Sequence, residues 1–390
     1  MAYRKFSADN IFDGYQMLGE DAVVITNDRG TITDIVQKTE AGENTEVFKG
    51  VLTPGLINCH CHLELSFLKG RIAPATGMIP FLLAVMGSRN TDAELVIQEI
   101  KHAEQSMFAS GIVAVGDICT TTMTVAQKQA QNLFYHNFIE ASGFAESSAL
   151  MRFKQALEVA AHFIDQPYSI VPHAPYSVSP GLFSLINKNK PNSLLTIHNQ
   201  ESMAENNFFQ NGQGDFLELY RALGIDITDF NYSTGKTSLQ SYLQRISSDH
   251  SVIMVHNTIT AQEDIDWITS NKSLLPELYW CICPNANWYI NKMLPDLTLL
   301  MRSGSKIVVG TDSLAANHQL NILEELKTLQ KNFTSLSITD LLRWATINGA
   351  EALRISDTFG SLEKGKQPGI VLINNIVNNS LENASSKRIL

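Results

Sequence analysis

Between residues 55 and 311 the chain alternates short apolar runs with longer amphipathic segments, and this alternation strongly limits the folds it can adopt. Short buried strands separated by helix-length segments are typical of a parallel α/β sheet or barrel. The strand candidates are Gly55–His62, Ile112–Ile118, Leu133–Glu140, Ser169–His173, Leu194–His198, Val252–His256, Tyr279–Cys283 and Ile307–Thr311. Each is followed by enough chain for a helix, for example Thr91–Ser110 and Thr339–Arg354. Eight such units have the size of a TIM-type barrel.

The two ends of the chain have a different texture, in which short β-like runs alternate with turns. The segment AVVITNDRGTITDIVQK predicts a hairpin that turns at Asn27-Asp28-Arg29-Gly30. Near the other end, Phe359 to Asn375 predicts a turn and then a short apolar strand. We therefore expect an α/β protein with a distorted TIM (β/α)8 barrel at residues 54–354. A small β-sandwich would be built from both chain ends, residues 1–53 and 355–390.

Composition and charge exclude several classes of function. With 44% hydrophobic and 17% charged residues, the chain can bury a sizeable core. A net charge of −10 without a clustered basic surface disfavours nucleic acid as a partner. No apolar run reaches the ~18–20 residues of a membrane span, and the N-terminus lacks the apolar core of a signal peptide. The five cysteines fit reduced thiols. We expect a cytoplasmic protein that binds no membrane, with a homodimer left open.

The segment VLTPGLINCHCHLELS places two histidines at the end of an apolar run. Successive side chains of a strand point to opposite faces, so His60 and His62 share one face and Cys61 points away. Two neighbouring imidazoles at the end of a buried strand are well placed to bind one divalent metal. A single His-x-His is equally compatible with chance or with a satisfied polar pair.

Several other predicted strands also end in a residue type that metal hydrolases use. These residues are Glu140, His173, His198 with Glu201 three positions later, His256 and Asp312. The active sites of TIM barrels lie at the carboxyl ends of the strands. Four histidine-bearing strand ends and the carboxylates beside them are hard to explain as core residues, so the whole set favours a metal site.

Seven motifs in order resemble the amidohydrolase superfamily, in its branch of metal-dependent aminohydrolases and chlorohydrolases that act on aromatic heterocycles. The motifs are TPGLINCHCH (53–62), GIVAVGD (111–117), PHAPYS (172–177), HNQES (198–202), CPNAN (283–287), GTDS (310–313) and GSLEKGK (360–366). One departure is Pro368-Gly369, where the family usually has Ala-Asp. It falls in the predicted β-sandwich and should not touch the chemistry.

The resemblance implies a metal site. Its ligands would be His60, His62, His198 and Asp312. Three neutral nitrogens and one oxygen suit a divalent ion such as Zn²⁺, with Fe²⁺ as the second choice. Binuclear members carry a bridging lysine where this chain has His173, so one metal is favoured.

The resemblance also implies catalytic roles. Asp312 would accept a proton from the attacking water, and His256 would orient that water. Glu201 would protonate the ring nitrogen beside the attacked carbon and then help ammonia leave. Glu201 could instead cap the helix that begins near it.

Three further residues are candidates for substrate binding. His173 would contact the substrate, although it could also be a structural residue of a turn. Glu64 and Glu140 would line the pocket, and His318 could reach it. The other discriminating positions lie in loops, at Phe67, Met78, Phe81, Trp288 and Tyr289.

The segments HCHLELSFLKG and GMIPF most resemble bacterial aminofutalosine deaminases of the alternative menaquinone route. The expected substrate is therefore a small amino-substituted purine nucleoside. Deaminases of adenosine, S-adenosylhomocysteine, methylthioadenosine or guanine share the same catalytic set and remain alternatives. A hypothesis of another class is an inactive small-molecule-binding protein on the same scaffold.

Overall fold

The structure is a computed structural model, and it describes residues 3–88, 91–189, 193–227 and 233–390. The strands are β1 (Tyr3–Ser7), β2 (Asn10–Ile11), β3 (Ala22–Asn27), β4 (Ile32–Gln37), β5 (Glu46–Val47), β6 (Val51–Pro54), β7 (Leu56–Cys61), β8 (Ile112–Cys119), β9 (Phe134–Ala141), β10 (Tyr168–Pro172), β11 (Leu194–Asn199), β12 (Ser251–His256), β13 (Glu277–Ile282), β14 (Lys306–Val309), β15 (Ile370–Asn374) and β16 (Ser385–Arg388).

The α-helices cover the outside of the strands and connect them. They are α1 (Lys38–Ala41), α2 (Met78–Gly87), α3 (Ala93–Ala109), α4 (Val125–Lys128), α5 (Ala149–Ala160), α6 (Pro180–Lys188), α7 (Met203–Asn211), α8 (Phe216–Ala222), α9 (Ser238–Tyr242), α10 (Gln262–Asn271), α11 (Pro284–Asn291), α12 (Leu297–Arg302), α13 (Ile322–Asn332), α14 (Ile338–Ala345) and α15 (Ile347–Ala352). Among the described ranges, no helix combines the length and the apolarity needed to cross a membrane.

Strands β7 to β14 form the parallel barrel that the sequence predicts. They lie in two sheets, β7-β8-β9-β10 and β11-β12-β13-β14, and every pair within these sheets is parallel. The backbone N–H of His198 donates to the oxygen of His173 at 2.9 Å and joins β11 to β10. At the other junction, Thr311 N–H donates to the oxygen of His60 at 3.0 Å. Hydrogen bonds therefore join the two sheets at both seams.

The predicted strands all form, because the barrel interior and the outer helices bury both faces of each strand. β7, β8, β11 and β12 are buried at every residue, which explains why they read as nearly continuous apolar runs. One segment predicted as a single helix forms two helices in the structure. Residues 339–354 form α14 and α15, which meet at Thr346 with φ −129° and ψ −94°, outside the helical region.

Two smaller sheets come from the chain ends. Their strand orders are β4-β3-β1-β5 and β16-β15-β6-β2, so the second sheet combines strands from both termini. The predicted hairpin is confirmed, since β3 pairs antiparallel with β4 and Gly30 supplies a φ of +80°. A separate hydrophobic cluster that includes Phe6, Ile11 and Ile370 fills this β-sandwich. The division of domains at residues 53 and 355 stays a prediction.

The first and last strands of the barrel, β7 and β14, approach each other closely beside the histidines. A Cβ atom added at Gly310 would lie 2.8 Å from Cβ of His60 and 2.9 Å from its oxygen. Only glycine therefore fits at this position without moving β7. All five cysteines are buried and free, as expected for reduced thiols.

Candidate active site

His60 and His62 lie side by side at the carboxyl end of β7. Their Nε2 atoms are 3.2 Å apart, and the His60 side chain is fully buried. The predicted alternation along the strand thus brings both rings to one face, while the intervening Cys61 is buried elsewhere in the core.

His198, from the end of β11, completes a set of three imidazoles. Its Nε2 lies 3.3 Å from Nε2 of His62. Its Nδ1 lies 2.8 Å from the backbone oxygen of His173, which can only accept, so Nδ1 carries the hydrogen. The lone pair of His198 is therefore on Nε2 and faces the other two histidines.

Asp312 follows β14 and places a carboxylate beside the imidazoles. Its Oδ1 lies 3.5 Å from Nε2 of His62 and 3.8 Å from Nε2 of His60. The four side chains predicted as metal ligands are thus brought together at one mouth of the barrel.

The spacing of these donors fits a metal ion. Zn–N bonds of about 2.0–2.1 Å in a tetrahedral site place two ligand nitrogens about 3.3 Å apart. The observed Nε2–Nε2 distances are 3.2 and 3.3 Å. Two other sets, His60 with His198 and His256, and Glu140 with His173 and His198, also bring their donor atoms within 4.8 Å of one another. Because each shares a histidine with the first set, they describe one cluster.

Burial keeps the imidazoles neutral, as a metal ligand must be. Burial and the neighbouring histidines hold the pKa of His60 and His62 well below 6.5. Burial lowers the pKa of His198 to about 4 and that of His256 to about 3. A neutral ring offers one nitrogen lone pair to a cation.

His256 ends β12 and lies beside both the clustered imidazoles and Glu201. Its Nδ1 donates to Oδ1 of Asn287 at 2.8 Å, so the lone pair is on Nε2. That Nε2 lies 3.6 Å from Oε1 of Glu201. A water or a substrate atom that contacts both groups would meet the Nε2 lone pair of His256 and the carboxyl of Glu201.

Glu201 is buried, with 5% of its surface exposed. Burial, then Asp312 and Glu205, raise its pKa well above 4.5, which favours the protonated acid. The N-cap of α7 is Ser202, and the carboxyl of Glu201 faces His256 instead of that helix end. The capping alternative for Glu201 therefore lacks support.

The three candidates for substrate binding differ in their surroundings. The His173 ring lies 4.8 Å from that of His198, and its Nδ1 is 2.6 Å from Oγ of Ser177. Glu140 lies close by, with Oε2 3.8 Å from Nδ1 of His198. His173 and Glu140 are thus both placed at the mouth of the barrel.

Glu64 is held by neighbouring protein groups. One carboxylate oxygen accepts hydrogen bonds from N and Oγ1 of Thr120, at 3.0 and 2.5 Å. The other oxygen accepts them from N and Oγ1 of Thr121, at 3.0 and 2.7 Å. Glu64 therefore ties the loop after β7 to the loop after β8, and its role in binding substrate stays a prediction.

Sequence reasoning missed two residues that hold the candidate catalytic side chains in place. Asn287 is the last residue of the CPNAN motif, which was noted without a role. Glu205 accepts a hydrogen bond from the backbone N–H of Glu201, and the sequence predicted no role for it. His318, which the sequence left open as a pocket residue, packs near Tyr289 with ring centroids 5.5 Å apart, and its contact with the pocket stays a prediction.

Comparisons with known proteins find similarity over most of the chain. The sequence profile of the amidohydrolase family matches residues 51–389. A Helicobacter pylori protein described as adenosine deaminase is 26% identical over 325 residues, covering 81% of this chain and 77% of that protein. An aminodeoxyfutalosine deaminase of Nitratiruptor is 26% identical over 360 residues, covering 88% and 84%.

One solved structure matches almost the whole chain. The aminofutalosine deaminase of Helicobacter pylori, in complex with methylthio-coformycin, has a TM-score of 0.80 at 22% identity. The match covers 99% of this chain and 100% of that one. At this identity the likeness shows a shared fold.

Proposed function

This chain belongs to the amidohydrolase family, and from that premise we propose that it is a hydrolytic deaminase of an adenine nucleoside. The observation that carries the proposal is the cluster at the barrel mouth. Three imidazole nitrogens lie within 3.3 Å of a neighbour, beside the carboxylate of Asp312. A buried carboxyl, Glu201, completes an acid–base set around the same point.

His60, His62, His198 and Asp312 would hold one divalent cation. Zn²⁺ suits three imidazole nitrogens and one carboxylate oxygen, and Fe²⁺ is the second choice. When bound, such a cation supplies a nucleophile at neutral pH, since it lowers the pKa of water from 15.7 toward about 7.

Asp312 and His256 would handle the attacking water. Asp312 would accept the proton that the water loses as it adds to the ring carbon bearing the amine. His256 has its lone pair on Nε2, fixed by Asn287, and would accept a hydrogen bond from the same water. The water would thus be oriented from the side that faces Glu201.

Glu201 would transfer protons to the ring nitrogen and to the leaving amine. Its carboxyl would protonate the ring nitrogen next to the attacked carbon, which becomes tetrahedral as the C–O bond forms. Glu201, now deprotonated, takes the proton of the new hydroxyl group and passes it to the exocyclic nitrogen, which leaves as ammonia as its bond to the carbon breaks and the carbonyl forms. The proton that Asp312 took from the water then returns Glu201 to its acid form. The burial of Glu201, which raises the pKa of its carboxyl well above 4.5, supports this role.

We propose aminofutalosine as the first substrate to test. Support comes from two relatives named for this activity, one of which covers 99% of the chain at a TM-score of 0.80. Turnover of this substrate would assign the chain to menaquinone biosynthesis. Adenosine is the second candidate, because the Helicobacter pylori relative carries that activity in its description.

The test is ammonia release by the zinc-loaded protein. The panel contains aminofutalosine, adenosine, methylthioadenosine, S-adenosylhomocysteine and guanine, with absorbance used to confirm loss of the amine. We expect kcat/KM to be highest for aminofutalosine. Equal turnover of several adenine nucleosides would keep the mechanism and reject the substrate. No ammonia release from any substrate of the panel, with metal bound to the protein, would reject the proposed reaction.

A further inference from the structure

A second buried carboxylate, Glu205, holds the backbone of the turn that carries Glu201. Glu205 is 1% exposed and lies in the first turn of α7. Its Oε2 accepts a hydrogen bond from the backbone N–H of Glu201 at 3.1 Å. Its Oε1 accepts one from the N–H of Gln200 at 3.0 Å, and the hydroxyl of Ser238 also donates to it.

The same turn is fixed from the side of Gln200. This residue has φ +46°, in the left-handed region that a non-glycine residue adopts at a cost. Its side chain holds it there: Oε1 accepts from Oγ1 of Thr260 at 2.7 Å, and Nε2 donates to Oδ2 of Asp264 at 2.9 Å. Because the backbone is strained, hydrogen bonds from outside the turn are needed to keep it in place.

The carbonyl of Glu201 is held as well. It accepts a hydrogen bond from Nδ2 of Asn291 at 3.2 Å. With its N–H bound to Glu205, Glu201 has both of its backbone polar groups fixed by side chains. Its Oε1 is then placed 3.6 Å from Nε2 of His256.

We propose that Glu205 is a positioning residue for the deamination, which fixes the backbone of Glu201 so that its carboxyl meets the substrate in register with His256. This inference rests on the proposed function, since it takes Glu201 as the proton-transfer group. The competing explanation is an ordinary helix cap. The Glu205 carboxylate, however, accepts hydrogen bonds from the backbone of residues 200 and 201, which precede the N-cap Ser202. These bonds therefore stabilise the turn before the helix.

Glu205→Gln is the decisive variant. Both carboxylate oxygens accept backbone N–H groups, whereas a carboxamide has only one oxygen. Whichever way it is oriented, an NH₂ group faces one of the two amides. We expect kcat to fall about 10–100-fold, because a small displacement of a catalytic group has effects of this size. KM and zinc content should stay within about 3-fold, since no ligand or pocket residue changes.

Two further variants separate positioning from folding. Glu205→Asp keeps both oxygens and the charge, so it should recover part of the lost kcat. Glu218→Gln removes an exposed acidic side chain from the first turn of the next helix, α8, and should leave kcat unchanged. A Glu205→Gln variant with a lowered Tm but native kcat per zinc-loaded protein would show a helix cap and overturn the proposal.

A readout that does not depend on turnover keeps the two proposals apart. Hydrogen exchange of the peptide that contains residues 199–206 should be faster in Glu205→Gln than in the native protein, because one of the two N–H groups, that of Gln200 or that of Glu201, loses its acceptor. If the native protein turns over no substrate of the panel, the proposed function fails, while this measurement still tests whether Glu205 holds the backbone of Gln200 and Glu201. Unchanged exchange would overturn the positioning role by itself.

Discussion

The backbone oxygen of His60 accepts a hydrogen bond of 3.0 Å from the backbone N–H of Asp312. This bond lies at the seam where β14 meets β7, and the two side chains point into one cluster, with His60 Nε2 3.8 Å from Asp312 Oδ1. Asp312 adopts φ +56°, in the left-handed region, which is costly for a residue with a Cβ. Closure of the barrel and assembly of the site therefore depend on the same two residues.

Asp312→Asn should lose metal while the barrel stays folded. The amide keeps the size of the side chain and the backbone bond to His60, and it removes the one negative charge of the proposed ligand set. We expect metal affinity to fall by at least about 100-fold, beyond the 10–100-fold typical of outer-shell partners. Metal analysis after dialysis measures this, and Asp357→Asn, at an exposed position, is the control. Full zinc retention in Asp312→Asn would remove Asp312 from the ligand set.

Glu201→Gln should separate metal binding from chemistry. The amide cannot transfer a proton to the ring, so we expect kcat to fall by about 10²–10⁴-fold. Zinc content should stay at the native level, because Glu201 is not one of the proposed ligands. The matched control is Glu263→Gln, an exposed acidic residue in the first turn of α10. Native turnover by Glu201→Gln would mean that another group carries the proton.

Asn287 should matter through the orientation of His256. It is 1% exposed, and its Oδ1 accepts from Nδ1 of His256 at 2.8 Å. Asn287→Leu removes this acceptor and frees the ring, so we expect a loss of about 10–100-fold in kcat with zinc retained. Asn287→Asp keeps an oxygen at the same place and should lose much less. Equal kcat values for the two variants would argue against the orienting role.

The fold could be predicted from the sequence because the barrel strands are buried on both faces. Gly55–His62 and Val252–His256 are largely apolar runs that end in histidine, and both form strands with bounds shifted by one residue at most. Helix continuity was harder to read. The break falls at Thr346, where the backbone leaves the helical region between two helices that both contact β14 and β7.

The relative positions of site residues could be predicted where the residues share one strand. Contacts between residues from different segments could be predicted only in part. His60 and His62 were expected on one face because strand periodicity is local. The partners of Glu64 lie 56 and 57 residues away, so its four hydrogen bonds to Thr120 and Thr121 could not be read from its own segment. The same holds for Asn287, whose role depends on a ring 31 residues distant in sequence.

His136 should make the folded protein sensitive to acid. Burial, and then Arg354, lower its pKa from 6.5 to about 4 in the folded protein. Between these values the unfolded chain takes up a proton and the folded protein does not. The free energy of unfolding therefore falls as the pH drops from 6.5 toward 4, by at most about 3 kcal/mol for this residue.

Urea unfolding from pH 7.5 to 4.5 measures this effect. Nε2 of His136 lies 3.0 Å from Oγ of Ser169, and His136→Gln keeps a polar group within reach of that hydroxyl. Because the buried site histidines titrate in both proteins, the difference between the two curves isolates His136. We expect the variant to lose less stability on acidification. Parallel curves would mean that His136 has the same pKa in both states.

Lys128 and Asp117 form an ion pair that is closed to solvent. Nζ lies 2.5 Å from Oδ2, and both side chains have 0% exposure. Nζ also donates to Oδ1 of Asn137 at 2.8 Å. On the other side, Oδ1 of Asp117 accepts from the backbone N–H of Leu63, the residue after His62, at 2.8 Å. The pair therefore supports the backbone from which a proposed metal ligand projects.

Lys128→Met should be strongly destabilising, because it leaves the Asp117 carboxylate buried without its cation. Removing one partner of a buried pair typically costs about 3–5 kcal/mol. In the double variant Lys128→Met/Asp117→Asn the amide keeps an oxygen for the N–H of Leu63 and carries no charge, so most of this loss should return. Chemical denaturation at pH 7 compares the two. A double variant no more stable than Lys128→Met would show that lost packing, rather than an unpaired charge, sets the cost.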